Sequence, residues 1–181
     1  MGIFDKTFRE ILSFQIISLI IGLISGTMLA VYKDEILLIP SMLIIIPGFL
    51  EIRGDISGSF ASRLSSGLFL KVINKKRENT KMIKGNLLAS FILAIIVSLA
   101  LGLIAFLFNY FVLDINMPKI ILIPLIAGII VNGIEITMTL FATFYLFRKG
   151  HDPNNIMGPF ITSTSDIIGT ASLILVTLIL I

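Results

Sequence analysis

The stretch PGFLEIRGDISGS, residues 47–59, places Glu51, Arg53 and Asp55 inside a segment that is otherwise apolar and runs over residues 36–70. Four further stretches are almost free of charge: residues 11–32, 85–113, 120–147 and 153–181. Each of the five exceeds the roughly 20 residues that a helix needs to span a bilayer core. The sequence therefore predicts an all-α integral membrane protein, in which the whole chain is a single domain of five transmembrane helices.

The composition agrees with a membrane protein and excludes several classes of function. The 181 residues are 56% hydrophobic and 14% charged, and their mean hydropathy is +1.05, which no ordinary soluble domain reaches. The absence of cysteine excludes disulfides and thiolate metal sites. The first apolar segment is longer than that of a signal peptide and follows a stretch of mixed charge, so we expect it to be retained.

The basic residues predict the orientation. Ten of the fourteen lysines and arginines precede the first span or lie in the second and fourth loops: Lys6, Arg9, Lys71, Lys75, Lys76, Arg77, Lys81, Lys84, Arg148 and Lys149. By the positive-inside rule the N-terminus is cytoplasmic and the C-terminus lies outside, in a multi-pass protein of the plasma membrane. The net charge of +3 thus indicates topology and contact with lipid, and we expect no nucleic-acid partner.

Three acids are predicted to lie near mid-membrane. Asp166 follows Pro153 by 13 residues, which is about 20 Å along a helix. The same count places Glu135 and Asp55 at similar depth in their own spans. A charge at the bilayer centre costs about 3 kcal/mol, so such residues normally face a partner or a water-filled path.

The charged residues could also have structural roles. Arg53 could neutralise Glu51 or Asp55 as an ion pair, and Glu135 could be a protonated, hydrogen-bonding acid. On the fifth span a set of small and polar residues shares one helical face with an acid, namely Thr162, Ser163, Asp166, Gly169 and Thr170. That face is either wet or used for helix packing, with the hydroxyls bonded to carbonyls of their own helix.

Glycines and prolines predict breaks in the second and fifth spans. In the second span Pro40 and Pro47 precede Gly48, Gly54 and Gly58, and in the fifth span Pro153, Gly158 and Pro159 precede Gly169. Interrupted helices would expose carbonyl oxygens, which beside carboxylates are ligands for a hard cation. Pairs of glycines four residues apart, at positions 22 and 26 and at positions 54 and 58, favour close helix packing.

No motif for nucleotide hydrolysis, dinucleotide binding or zinc proteolysis is present, and the sole histidine, His151, is predicted to be a solvated loop residue. The two aspartates at positions 55 and 166 could form an intramembrane protease dyad, but the glycine-containing motif of that class is missing around both. We therefore expect no enzyme and no organic cofactor. A proton- or sodium-coupled exporter, in which Glu135 or Asp55 titrates, and a non-transporting assembly subunit stay as alternatives.

The residues resemble the membrane domain of the MgtE-type magnesium transporters and channels. The stretch GHDPNNIMGPFITSTSDIIG, residues 150–169, is similar to the fifth-span signature of that family, and residues 47–68 are similar to its second span. The resemblance implies a homodimer that conducts Mg²⁺ where spans two and five of both subunits meet. It assigns ion contact to Asp166, and it assigns lining of the same path to Gly54, Asp55 and Gly58.

From the residues and the resemblance together, the predicted metal site comprises Asp166, Asp55, Gly54, Gly58, Thr162 and Glu135. The chain departs from the family pattern at Asp55, where asparagine is usual. It also has about ten residues before its first span, whereas many members carry a cytosolic magnesium sensor there. We therefore expect gating, if it occurs, to use a separate cytosolic regulatory subunit or the pore itself.

Overall fold

The computed structural model describes residues 6–74 and 80–180, and helices account for nearly all of them. Six α-helices follow one another: α1 (Lys6–Val31), α2 (Lys33–Leu37), α3 (Met42–Phe69), α4 (Lys81–Val112), α5 (Leu122–Arg148) and α6 (Pro153–Leu180). A short 3₁₀ turn, Pro118–Ile121, leads into α5. The basic-loop residues Lys75, Lys76 and Arg77 lie outside the described residues.

Four of the long helices are long and apolar enough to cross a membrane: α1, α4, α5 with its 3₁₀ turn, and α6. The all-helical prediction is therefore confirmed. The helix α3 has 28 residues, as many as α6, but its charged residues set it apart from these four. It packs against α4, α5 and α6, so it lies inside the bundle along with them.

Contacts between helix ends show which of them lie at the same end of the bundle. His151, between α5 and α6, lies 3.2 Å from Glu10 near the start of α1. The rings of Phe69 and Phe147 meet edge to face at 5.1 Å, which places the C-terminal ends of α3 and α5 together. These contacts gather the starts of α1 and α6 and the ends of α3 and α5 at one end of the bundle.

Of the predicted helix breaks, the one at Pro40 is present, because residues 38–41 form a turn between α2 and α3, whereas those at Pro47 and Pro159 are wrong. Both α3 and α6 are continuous helices, with Pro47 inside one and Pro159 inside the other. A proline within a helix removes a single backbone hydrogen bond, and packing against neighbouring helices can hold the remainder in place. Gly54 and Gly58 are likewise helical, so this region does not supply a run of free carbonyls.

Close packing in the bundle depends on a small residue at a specific crossing. A Cβ atom built on Gly102 of α4 would lie 2.7 Å from the carbonyl oxygen of Ile121 in the 3₁₀ turn. Because backbone atoms occupy that space, only glycine fits at this crossing without a shift of the chain. The 3₁₀ turn before α5 therefore packs directly against α4. The helix α5 in turn packs against the buried face of α3.

Candidate ion-binding cleft

A cleft of about 430 Å³ lies between α3 and α6. Its walls combine acids with small and hydroxylated residues: Pro47, Leu50, Glu51, Gly54, Asp55 and Gly58 from α3, and Gly158, Ile161, Thr162, Ser165 and Asp166 from α6. The acids at positions 51 and 55 are one helical turn apart, so they share a face of α3. Three carboxylates therefore border one cleft.

The structure brings together five of the six residues predicted from the sequence. Asp166, Asp55, Gly54, Gly58 and Thr162 all line this cleft. The sixth residue, the acid of α5 at position 135, does not line it and is buried in the bundle instead. The residues that were predicted together on α3 and α6 therefore line one cleft, and Glu135 lies behind its wall.

Asp166 is half-buried, and α1 closes its other side. A Cβ atom on Gly22 would lie 3.7 Å from Oδ2 of Asp166, which is ordinary contact. One turn further along α1, the hydroxyl of Ser25 donates to the backbone oxygen of Asp166 at 2.8 Å and lies 2.7 Å from the hydroxyl of Thr170. The first helix therefore holds the segment of α6 that carries the acid.

The polar face predicted on α6 divides into two parts. Thr162 is exposed to the cleft, and its hydroxyl donates to the carbonyl of Gly158. Ser163 is buried and bonds back to the carbonyl of Pro159 at 2.7 Å, as the packing interpretation predicts. Gly169 is also buried, and a Cβ atom there would meet Leu50. Only the part of the face near the acid can therefore meet water.

Arg53 makes neither of the ion pairs considered from the sequence. Its side chain is 1% exposed and turns away from the cleft toward α4 and α5. It donates to the carbonyl of Gly128 at 3.0 Å, to the hydroxyl of Ser98 at 2.5 Å and, more weakly, to the carbonyl of Ala94 at 3.4 Å. Its guanidinium carbon lies 5.0 Å from the centre of the Phe49 ring. Two of the three guanidinium nitrogens are thus bonded inside the protein, and the acids of α3 lie on the opposite face of the helix.

Glu135 lies one layer behind the cleft wall, with a side chain that is 2% exposed. Its Oε2 atom accepts a hydrogen bond of 3.0 Å from the hydroxyl of Ser57 on α3. Ser165, which lines the cleft, lies beside the same carboxyl group. Within the described part of the chain, however, neither Oε1 of Glu135 nor the Ser165 hydroxyl has a partner at hydrogen-bonding distance. The acid is therefore close to the cleft without opening onto it.

The polar face of α3 continues beyond the cleft, and no residue within the described ranges 6–74 and 80–180 covers it. Glu51, Asp55, Ser59 and Ser62 are exposed. A second hollow, bordered by Leu93 of α4, adjoins the same face. Elsewhere α4 exposes large apolar side chains, as expected of a helix against lipid. The polar face is thus unlike the rest of the exposed surface.

The residues described in one protomer contain no group of three or more histidines, aspartates or glutamates arranged to hold a bare metal ion. The cleft offers carboxylate and hydroxyl oxygens along two helices instead. Such oxygens are acceptors for the water molecules around a hard cation. The arrangement is suited to attract a cation and to contact its hydration shell.

The structure is an all-helical bundle in which four of the described helices are long and apolar enough to cross a membrane, and an acidic cleft lies between α3 and α6. A family model described as MgtE, divalent cation transporter, matches residues 46–176, which is most of the chain. The chain therefore belongs to this family of divalent cation transporters and is not an enzyme. No curated protein and no solved structure gives a significant match to it.

Sequence reasoning missed the supporting residues on other helices. Gly22 was assigned to packing in general, and Ser25, Ser57 and Ser165 were not singled out. The spacing offered some signal, since Ser165 immediately precedes the acid of α6 and Ser57 is one turn from Arg53. Which helix each of them faces is a tertiary property, and a single sequence does not show it.

Proposed function

We propose that the protein conducts a divalent cation, most readily Mg²⁺, along the cleft between α3 and α6. The observation that carries the proposal is that Asp55 and Asp166 border one cleft together with Gly54, Gly58 and Thr162. The carboxylates attract the ion, and the glycines leave room for it. Glu135 contributes from behind the wall and does not contact the ion.

The dimensions of the cleft suit a hydrated ion. Magnesium prefers octahedral coordination and gives up water reluctantly. Six waters at about 30 Å³ each occupy about 180 Å³, which the volume of 430 Å³ accommodates. The hydrated ion donates hydrogen bonds through its waters, and Asp166, Asp55 and the hydroxyl oxygen of Thr162 accept them. Contact through water leaves binding weak enough for release, as conduction requires.

A second copy of the chain is the natural cover for the exposed polar face of α3. Glu51 and Asp55 on a lipid-facing surface would each cost about 3 kcal/mol near the bilayer centre. In a homodimer whose two α3 helices meet across a water-filled path, these side chains stay hydrated instead. Each protomer then contributes one Asp166 and one Asp55 to a shared path. This arrangement makes α3 the fifth spanning helix.

The orientation follows from where the basic residues lie. Arg9, Lys71, Lys84, Arg148 and Lys149 belong to the end of the bundle where the first helix begins and the fifth ends. The positive-inside rule makes this end cytoplasmic and places the C-terminus of α6 outside. In the plasma membrane, an inside-negative potential then drives entry with about 4.6 kcal/mol per 100 mV for a divalent ion. Gating by a separate cytosolic subunit fits this orientation.

The test is magnesium influx into proteoliposomes at a fixed potassium-diffusion potential, followed with an enclosed indicator dye. Native protein is expected to conduct, and Asp166→Asn is expected to lose at least nine-tenths of the flux, because it removes a carboxylate from each protomer. Asp114→Asn is the matched control. It makes the same change in an exposed loop residue whose φ of 55° asparagine also tolerates.

Equal flux in Asp166→Asn and native protein would remove the cleft from the ion path. Flux that appears only with a proton or sodium gradient, at unchanged voltage, would replace channel conduction with coupled transport. Absence of divalent flux from native protein would overturn the proposed function.

A further inference from the structure

Arg53 on α3 and Glu135 on α5 are a basic and an acidic side chain that are both buried in the bundle. Gly128, whose carbonyl accepts from the arginine, and the acid are seven residues apart on α5, which is two turns and therefore one face. On α3, Ser57 is one turn from the arginine and donates to the acid. Along α5, the carbonyl that accepts from Arg53 and the residue Glu135 are thus about 10 Å apart.

The pair is not a direct salt bridge. All hydrogen bonds of both side chains in the described residues go to other groups, and Nε of Arg53 and Oε1 of Glu135 have no partner there. Two charges buried in this way cost several kcal/mol each to desolvate, and hydrophobic residues of similar size often stabilise a protein as well or better. A requirement for packing therefore does not explain why both are charged.

The two charges lie at different distances from the cleft. The partners of Arg53 are on α4 and α5, and α4 makes no substantial contact with α6. Glu135 lies beside Ser165, which is a residue of the cleft wall and immediately precedes Asp166 on α6. The negative end of the pair is thus nearer to the cleft than the positive end.

We propose that Arg53 and Glu135 form a buried dipole that raises the affinity of the cleft for divalent cations. Glu135 is a positioning residue in this proposal, because it acts on the ion through the cleft wall without touching it. The arginine offsets the cost of burying the acid and is held far enough away to leave a net negative field at the cleft. The inference rests on the proposed function, since it needs an ion in the cleft.

The readout is the magnesium concentration at half-maximal flux, measured apart from the maximal flux. Glu135→Gln keeps the shape of the side chain and an acceptor for Ser57 while removing the charge. Because removing a negative charge weakens the attraction for a doubly charged ion, we expect the half-saturating concentration to rise at least tenfold. Maximal flux per folded dimer should stay within about twofold of native.

Two further variants separate charge from folding. Arg53→Met with Glu135→Gln removes both charges, so it avoids leaving either one uncompensated, and it should raise the half-saturating concentration by about threefold because the dipole is lost. Asp114→Asn, with its charge change in the loop after α4, should behave as native protein. An unchanged half-saturating concentration in the double variant, or in a folded Glu135→Gln protein, overturns the proposal.

Failure of this inference is distinguishable from failure of the proposed function. If native protein conducts and Asp166→Asn does not, the ion path stands whatever the α5 variants show. Equal losses of maximal flux and of folded protein, at constant half-saturation, would mean that the buried pair serves stability alone.

Discussion

Replacing Arg53 by methionine is the strongest test of how α3 is held in the bundle. Methionine has a similar length and packs well in apolar surroundings, but it donates no hydrogen bond. The change removes the contacts to Gly128, Ser98 and Ala94 and the approach to the ring of Phe49. It also leaves the buried acid of α5 without its opposite charge.

The size of the effect follows from these contacts. Polar contacts between membrane helices average about 0.6 kcal/mol each, so three of them are worth about 2 kcal/mol. A desolvated cation over an aromatic ring adds up to about 2 kcal/mol. Leaving the buried acid of α5 without an opposite charge in the core adds to this cost. Allowing for the apolar packing of methionine, we expect Arg53→Met to lower the free energy of unfolding by about 3 kcal/mol.

The assay is equilibrium unfolding of purified protein in mixed micelles, titrated with a denaturing detergent and followed by circular dichroism. Adding Glu135→Gln to Arg53→Met should recover at least half of the loss, since no uncompensated charge then remains. A loss below about 1 kcal/mol in the single variant, or a double variant no more stable than the single one, would refute the reasoning that the two charges are coupled through the core.

Two further predictions concern the exposed face of α3. Because the chain has no cysteine, Ser59→Cys in the native background should crosslink two copies under mild oxidation, whereas Leu103→Cys, on the apolar face of α4, should not; the reverse pattern would place the subunit contact elsewhere. Asp55→Asn should keep measurable magnesium flux and lower the preference for divalent over monovalent cations several-fold, because it removes one negative charge per protomer while preserving shape. Unchanged selectivity, measured from reversal potentials, would place the Asp55 carboxylate away from the ion.

Much of the architecture could be predicted from hydropathy alone, and the site could be predicted in part. Uninterrupted apolar stretches set the helices α1, α4, α5 and α6, since length and composition are sufficient for that assignment. The grouping of Asp55 with Asp166 followed from their equal depth and from the family resemblance. The breaks predicted at Pro47 and Pro159 were wrong because the cost of a proline in a helix is offset by packing with other helices, which a single sequence does not reveal.

Helical periodicity alone excludes both ion pairs that were considered for Arg53, with Glu51 and with Asp55. Residues two apart on a helix point about 200° away from each other, so Arg53 cannot face either acid while the backbone stays helical. Glu51 and Asp55, four apart, must share a face. Had α3 been treated as a continuous helix, its sequence would have predicted the observed division into a buried basic side and an exposed acidic side.

That division explains why α3 is the least apolar of the long helices and yet lies inside the bundle. Its inner face must reach partners on α4 and α5, and a long side chain such as Arg53 can do so because Gly128 leaves space beside its guanidinium group. The outer face is then fixed in rotation, and Glu51, Gly54, Asp55 and Gly58 necessarily point toward α6 and the exposed side. A helix anchored by one buried basic side chain can therefore present its acids to the cleft without relying on loops or helix breaks.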